Sequence, residues 1–388
     1  MRKPRICIKR NVHSGSFSFF ILTIGVLFRF KIIAASHLVL YLIAAFLFVI
    51  YMLTKKNLST NYTNVSYLCA FISIGAMFFV FSENPSENTL LYHVLFFSMP
   101  VFYFMVTVDY ILYIGKDSFL GIIKDVLPLY VLYLSVEAIM RFLLVFQQGS
   151  LIESFYIFKV SSFGYSDTNF LALTLLYISC MLRYLYHISG EKKYKQYQHL
   201  LVLFQILTLS RSVIITQCLI LYLEFCYKRI AKHKDYMFLM MNTIFFLFGI
   251  FFLLSFVAND SSGRSKFAII EGLKKITQFS LGNRLFGFGY GKGEFIYSYQ
   301  KGDYGHLHIA LLLGEIGIVG TVMYFLWLLR FVRISHRKAF YIIFGFMLTG
   351  FSLAFFDSSF YYCIGVIYAL EKLKDKKHIP VEVKSPCI

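Results

Sequence analysis

The stretch YMFLMMNTIFFLFGIFFLLSFV, residues 236–257, runs for 22 positions without a charged side chain. About 20 apolar residues in a helix cross the roughly 30 Å hydrocarbon core of a bilayer, so this run reads as a transmembrane helix. Runs of the same kind recur on both sides of it. They lie at 17–34, 36–53, 64–82, 90–113, 119–146, 168–188, 197–210 and 212–227, then at 307–329, 339–356 and 358–371. The pattern predicts an all-α, polytopic protein with about 12 transmembrane helices.

Composition agrees with that reading. Of 388 residues, 58% are hydrophobic, 19% aromatic and only 15% charged, with 45 Phe and 29 Tyr beside one Trp. Soluble domains carry about 25% charged residues, so this chain lacks the polar surface of a water-soluble globule. The seven cysteines (Cys7, Cys69, Cys180, Cys218, Cys226, Cys363, Cys387) form no CxxC pair and mostly sit in apolar runs, as small hydrophobes do.

The net charge of +18 has to be divided by position before it means anything. Placing the N-terminus inside puts Arg2, Lys3, Arg5, Lys9 and Arg10 in the cytoplasm, and every second loop is then basic. These loops hold Lys55 and Lys56; Lys116; Lys192, Lys193 and Lys195; Lys228, Arg229, Lys232 and Lys234; Arg330, Arg333, Arg337 and Lys338; and the tail from Lys372. The intervening loops 82–88 and 357–359 carry no Lys or Arg, and 147–167 carries only Lys159. This is the positive-inside bias, so most of the charge encodes orientation, with both termini inside, and nucleic acid is not an expected partner. The first apolar run passes through Arg29 and Lys31 into the next span and reads as uncleaved.

The predicted organisation is a cytoplasmic N-terminus (1–16), nine transmembrane helices (17–257), a large external loop (258–306), three more helices (307–371) and a cytoplasmic tail (372–388). The external loop breaks the charge pattern with Arg264, Lys266, Lys274, Lys275, Arg284, Lys292 and Lys301. A long translocated loop can escape the bias, but loops of this length are usually functional. Phe267, Ile270, Leu273 and Ile276 against Lys266, Lys274 and Lys275 read as an amphipathic helix on the outer membrane boundary.

Several residues there can carry chemistry. Arg211 in TLSRSVII stands between two apolar runs at the outer end, where a guanidinium grips phosphate oxygens bidentately. Arg264 in SSGRSKF precedes the amphipathic helix, whose N-terminal amides favour an anion. Arg284 opens a run with Gly287, Gly289, Gly291 and Gly293, which lets the chain turn tightly and approach either a ligand or helix ends. Its GFGYGKG core lacks the strand and GK[ST] of a nucleotide loop. His306 and His308 stand where the loop re-enters the membrane and can move a proton near neutral pH; His308 shares a helix face with Glu315. Each has a plainer alternative: a snorkelling Arg, a solvated loop cation, a flexible turn, an interfacial His. Glu137 and Arg141, four residues apart on a span, read as a self-neutralising structural pair, and Asp167 as a helix cap. HxH alone does not make a metal site.

LTLSRSVII (207–215), SGRSKF (262–267), FGFGYGKGEF (286–295) and the pattern His306, nine residues after Leu307, Gly317-Ile318-Val319-Gly320-Thr321 together resemble the bacterial O-antigen polymerases and O-antigen ligases. In that family the residue after the His is usually Asn, Ser or Gln, where this chain has Leu307. The resemblance implies a membrane-embedded, metal-independent glycosyltransferase without a cofactor, acting at the periplasmic face of the bacterial inner membrane. Its donor would be an undecaprenyl-diphosphate-linked oligosaccharide, with a chain-length regulator open as a further partner. Carried over by position, Arg211 and Arg264 resemble the diphosphate-binding arginines, His306 or His308 the catalytic histidine, and Arg284 a weaker substrate contact. The length, the aromatic content and the glycine turn favour polymerase over ligase. A repeat-unit transporter is the alternative from another class, and would be expected to show Gly- or Pro-broken spans.

Overall fold

The computed structural model describes residues 19–28, 87–146, 157–159, 161–165, 167–233, 236–258, 261–289, 293–298, 307–335, 337–351 and 358–378. The predicted spans 36–53 and 64–82 lie outside the described residues, as does His306. Helices follow one another with no strand among the described residues. They are α1 (19–27), α2 (Glu87–Phe146), α3 (Thr168–Ser189), α4 (Lys192–Leu207), α5 (Arg211–His233), α6 (Tyr236–Ala258), α7 (Ser261–Gly272), α8 (Leu281–Phe286), α9 (Gly293–Ile296), α10 (His308–Ile334), α11 (Phe340–Gly350) and α12 (Ser358–His378).

Helix boundaries follow local chemistry. The Asp167 carboxylate caps α3 by accepting from the Asn169 amide at 3.1 Å, and Gly190 ends it in the left-handed region at φ 72°. Predicted spans 90–113 and 119–146 form one helix broken at Gly115, where φ is 82°. Spans 197–210 and 212–227 meet at a tight turn over Thr208–Ser210, with Leu209 at φ 56°.

Among the described residues three helical stretches are long and apolar enough to cross a membrane: Tyr103–Val145, Thr168–Ser189 and His308–Ile334. Of the other predicted spans, 236–257 is the uncharged helix α6, with a shorter apolar stretch at Met240–Gly249, and α4, α5, α11 and α12 differ in length or charge. α4 opens with lysines, α5 holds Glu224, Lys228 and Arg229, α11 ends at Gly350, and α12 finishes in charged turns. The apolar surface left outside is broad. Leu132, Ile139, Phe142 and Leu143 of α2 and Met237, Phe245 and Phe248 of α6 are all exposed, an arrangement that suits lipid and not water.

The core is aromatic. α12 runs along α2, with Gly365 close against Phe104 and Thr107, and α3 pairs with α4. Phe331 meets Phe104 at 4.6 Å and Trp327 at 4.7 Å between centroids, and Phe346 stacks on Phe360 at 4.0 Å. Buried hydroxyls pair with each other, Tyr324 with Tyr361 and Thr23 with Tyr362, each at 3.0 Å. Such pairing removes the cost of burying an unmatched polar group.

Ionic contacts gather at the two ends of the bundle. At one end Lys116 donates to the Ile188 carbonyl, Lys124 pairs with Glu191 at 2.8 Å, Arg183 with Glu224, and the Tyr184 hydroxyl donates to Glu371 at 2.6 Å. At the other, Arg141 donates from Nε and Nη2 to Glu137 at 2.9 Å and from Nη1 to the Leu207 carbonyl at 3.1 Å. The second Glu137 oxygen accepts from Ser162 at 2.9 Å, and Phe158 covers the guanidinium at 4.8 Å. The pair therefore ties α2 to α4 and to the segment before α3. Breaking one partner of a buried pair costs about 3–5 kcal/mol, whereas an apolar double replacement is often nearly neutral. Arg141→Ala is expected to lower the detergent-solubilised protein's unfolding temperature sharply, and Glu137→Leu/Arg141→Met much less, by size-exclusion thermostability.

Candidate functional site

Two residues separate the end of α6 from α7, so the loop begins beside an uncharged helix end. On α7 Ile269 turns inward while Phe267 and Ile270 are exposed, so the buried face is not the Phe267, Ile270, Leu273 and Ile276 face read from the sequence, and α7 ends at Gly272 before Leu273 and Ile276. Ile269 is fully buried with Tyr297, Leu307 and Ala310, and Leu273, Phe279, Ile296 and Leu313 close around them. This small cluster seats α7 on the start of α10. Burial pushes the Tyr297 phenol up to about 12, so it remains neutral at physiological pH.

Between the 3-10 turn Leu273–Gln278 and α8 the chain doubles back around Arg284. Its Nη2 donates to the carbonyls of Thr277 at 3.1 Å and Phe279 at 2.9 Å, and Ser280 caps α8 by accepting from Asn283 N–H at 3.3 Å. Part of this guanidinium therefore holds the turn together.

The glycine run then meets α10 where that helix breaks. Gly317 sits at φ 64°, ending the first segment, His308–Ile316, after about 13 Å. A helix break leaves carbonyls without their intrahelical partners, and in an apolar setting they need others. Phe288 N–H donates to the Gly314 carbonyl at 2.7 Å, Gly289 N–H to Glu315 at 3.0 Å, and the Thr321 hydroxyl to Gly317 at 2.6 Å. Side chains have no room in this contact. A Cβ on Gly293 would stand 2.3 Å from the Gly314 carbonyl carbon, one on Gly287 2.5 Å from that of Glu315, and one on Gly317 2.4 Å from the Leu285 oxygen. Of the two approaches the glycine run allows, to a ligand or to helix ends, the geometry is that of helix ends.

His308 is 4% exposed, with its ring 4.9 Å from Phe346 and 5.7 Å from Tyr324 and its Cβ side against Gly350. It is enclosed by α10 and α11 and does not stand at an open lip. Glu315 is fully buried at the break, so the two residues share the first segment of α10. Arg264 is exposed on α7 and Arg211 is exposed at the head of α5. The loop thus joins the helix of Arg264, the turn of Arg284, the glycine run and His308 into one unit. Arg211 belongs to another part of the bundle, on a helix that packs against α11, α3, α4 and α6. Among the described residues no group of three or more His, Cys, Asp or Glu could hold a metal ion.

Reading the sequence missed the match between the two glycine segments. GFGYGKG and GEIGIVG are complementary surfaces, and the visible signal was that each repeats glycine at short intervals within one apolar neighbourhood. Comparison of the chain with models of known families, with curated proteins and with solved structures gave no match.

Alanine at Gly293 or Gly317 should undock the loop from α10. At Gly317 a non-glycine residue in the left-handed region costs about 1–3 kcal/mol before any clash, or roughly tenfold in local opening, and at Gly293 the clash with the Gly314 backbone acts alone. Limited trypsin cleavage at Lys274 and Lys275 should accelerate at least about that much in either variant. Gly282→Ala, where a Cβ meets nothing within 4 Å, should leave the cleavage rate unchanged.

Proposed function

We propose that the chain is an O-antigen polymerase of the inner membrane, joining undecaprenyl-diphosphate-linked oligosaccharide repeat units at the periplasmic face. One observation carries the reading beyond the sequence resemblance. The Ile269, Tyr297, Leu307 and Ala310 cluster packs the helix bearing Arg264 against the chain directly after His306. The helix carrying a cation suited to a diphosphate is thus packed against Leu307, the residue next in sequence to His306.

In the reaction, the hydroxyl oxygen of the acceptor sugar attacks the anomeric carbon of the lipid-linked glycan. The bond from that carbon to the diphosphate oxygen breaks, and the lipid diphosphate leaves with the electron pair. Arg211 and Arg264 balance its growing negative charge, the electrostatic assistance that acyl- and phosphoryl-transfer sites supply by comparable means. His306 takes the proton from the attacking hydroxyl. His308 fixes the first segment of α10 through its contacts with Phe346 and Tyr324, and Arg284 shapes the turn.

A second reading has one observation in its favour. The helix break at Gly317, inside a predicted span, is a feature of transporters, in which discontinuous helices bind substrate within the membrane. The lipopolysaccharide ladder of a deletion strain separates the possibilities. Core carrying a single repeat unit is the expected result, core with none marks a ligase, and repeat units retained on the inner leaflet mark a transporter.

Arg211→Ala and Arg264→Ala should each abolish chain growth while the protein still inserts, and wild-type ladders from both would overturn the diphosphate assignment. His306→Ala should stop growth. His308→Ala should act through stability, with activity recovering at lower temperature. A periplasm-dependent reporter should be active when fused at Gly302 and silent at Lys232.

A further inference from the structure

Arg183 lies inside α3, far from the loop, and is 6% exposed. Its Nη2 pairs with Glu224 of α5, and its guanidinium carbon lies 4.4 Å over the Tyr341 ring of α11. Its Nη1 has no hydrogen-bond acceptor among the described residues. Lys228, one turn beyond Glu224, donates to the same carboxylate at 2.6 Å. One acid therefore serves two cations.

A third cation joins them. Lys338 stands three residues before Tyr341, whose ring lies against Arg183, on the turn that leads into α11. Lys338 is held by a rigid turn: its N–H donates to Ser335 at 2.8 Å, and the preceding Arg337 N–H donates to Val332 at 2.8 Å with φ at 65°. Lys228 and Lys338 are exposed, with Arg183 buried behind them. Exposed Tyr227 and Tyr236 flank Lys228 in sequence, the aromatic signature of headgroup depth.

The geometry points to a binding site for a phosphate-bearing anion, an acidic lipid headgroup or free phosphate, between α3, α5 and the turn before α11, held by Lys228 and Lys338 with Arg183 beneath. Arg183 of α3 and Lys228 of α5 share the single Glu224 carboxylate, which leaves positive charge in excess, and a tetrahedral anion with several acceptor oxygens can bridge ammonium groups as a planar ring or a neutral headgroup cannot. Basic pockets between helices at the cytoplasmic side bind acidic headgroups on this principle. The site is separate from the external loop and does not depend on glycosyl transfer.

The full chain in mild detergent can be titrated with phosphatidylglycerol, phosphatidylcholine and inorganic phosphate, following the unfolding temperature and the lipids retained in native mass spectrometry. Phosphatidylglycerol should be retained and stabilising, and phosphatidylcholine should not. Lys228→Gln/Lys338→Gln should weaken that retention about fivefold per lysine while leaving the lipid-free unfolding temperature unchanged. Stabilisation by inorganic phosphate alone, abolished by the same double variant, would assign the site to the free anion. Equal retention of the two lipids with no effect of phosphate, or phosphatidylglycerol retention unaffected by the double variant, overturns the site.

Discussion

The break in α10 is held open by two backbone amides from elsewhere in the chain. A helix interrupted among apolar neighbours leaves carbonyls that neither water nor lipid can reach with a donor. Phe288 and Gly289 supply the missing donors, and Thr321 supplies another from the helix itself. The rest of the loop unit follows from this constraint. Glycine is required at 287, 293, 314 and 317 because amide and carbonyl approach within hydrogen-bonding distance only where no Cβ intervenes. Arg284 and Ser280 brace the turn that presents those amides, and the cluster around Ile269 seats α7 on the same helix.

Charge is distributed by a similar logic of local satisfaction. The deeply buried Arg141 has an acceptor for each donor direction and an aromatic ring beneath it, and it joins elements that would otherwise meet only through apolar contact. Arg183 stands at the opposite end of the bundle with a shared acid and two further cations nearby. The first arrangement is closed and structural. The second has more positive charge than its own residues neutralise, which is the condition under which a site recruits an anion from outside.

Much of the helical pattern was legible because it depends on neighbours in sequence. The break at Gly115 falls between the predicted spans 90–113 and 119–146, and the turn before Arg211 falls between 197–210 and 212–227. Asp167 reads and behaves as a cap, and the Glu137 and Arg141 pair follows from spacing alone. The face of α7 was not legible, since Phe267 and Ile270 are exposed and the buried contact belongs to Ile269. Other features depend on partners distant in sequence. The glycine run finds its carbonyls 26 residues later, His308 is enclosed by Phe346 and Gly350 of the next helix, and Arg183 meets Glu224 across two turns of chain direction. The length of α11 escaped the reading because apolarity continues past Gly350 while the helix does not.

The order of the chain gives the docking of the loop a direction in time. The amides of 288 and 289 are synthesised before the carbonyls of 314 and 315 exist, by an interval of about one to five seconds at ordinary rates of synthesis. Until then water satisfies those amides. The loop unit can dry and close only after the following helix has been made, so its assembly is a late step that waits on α10.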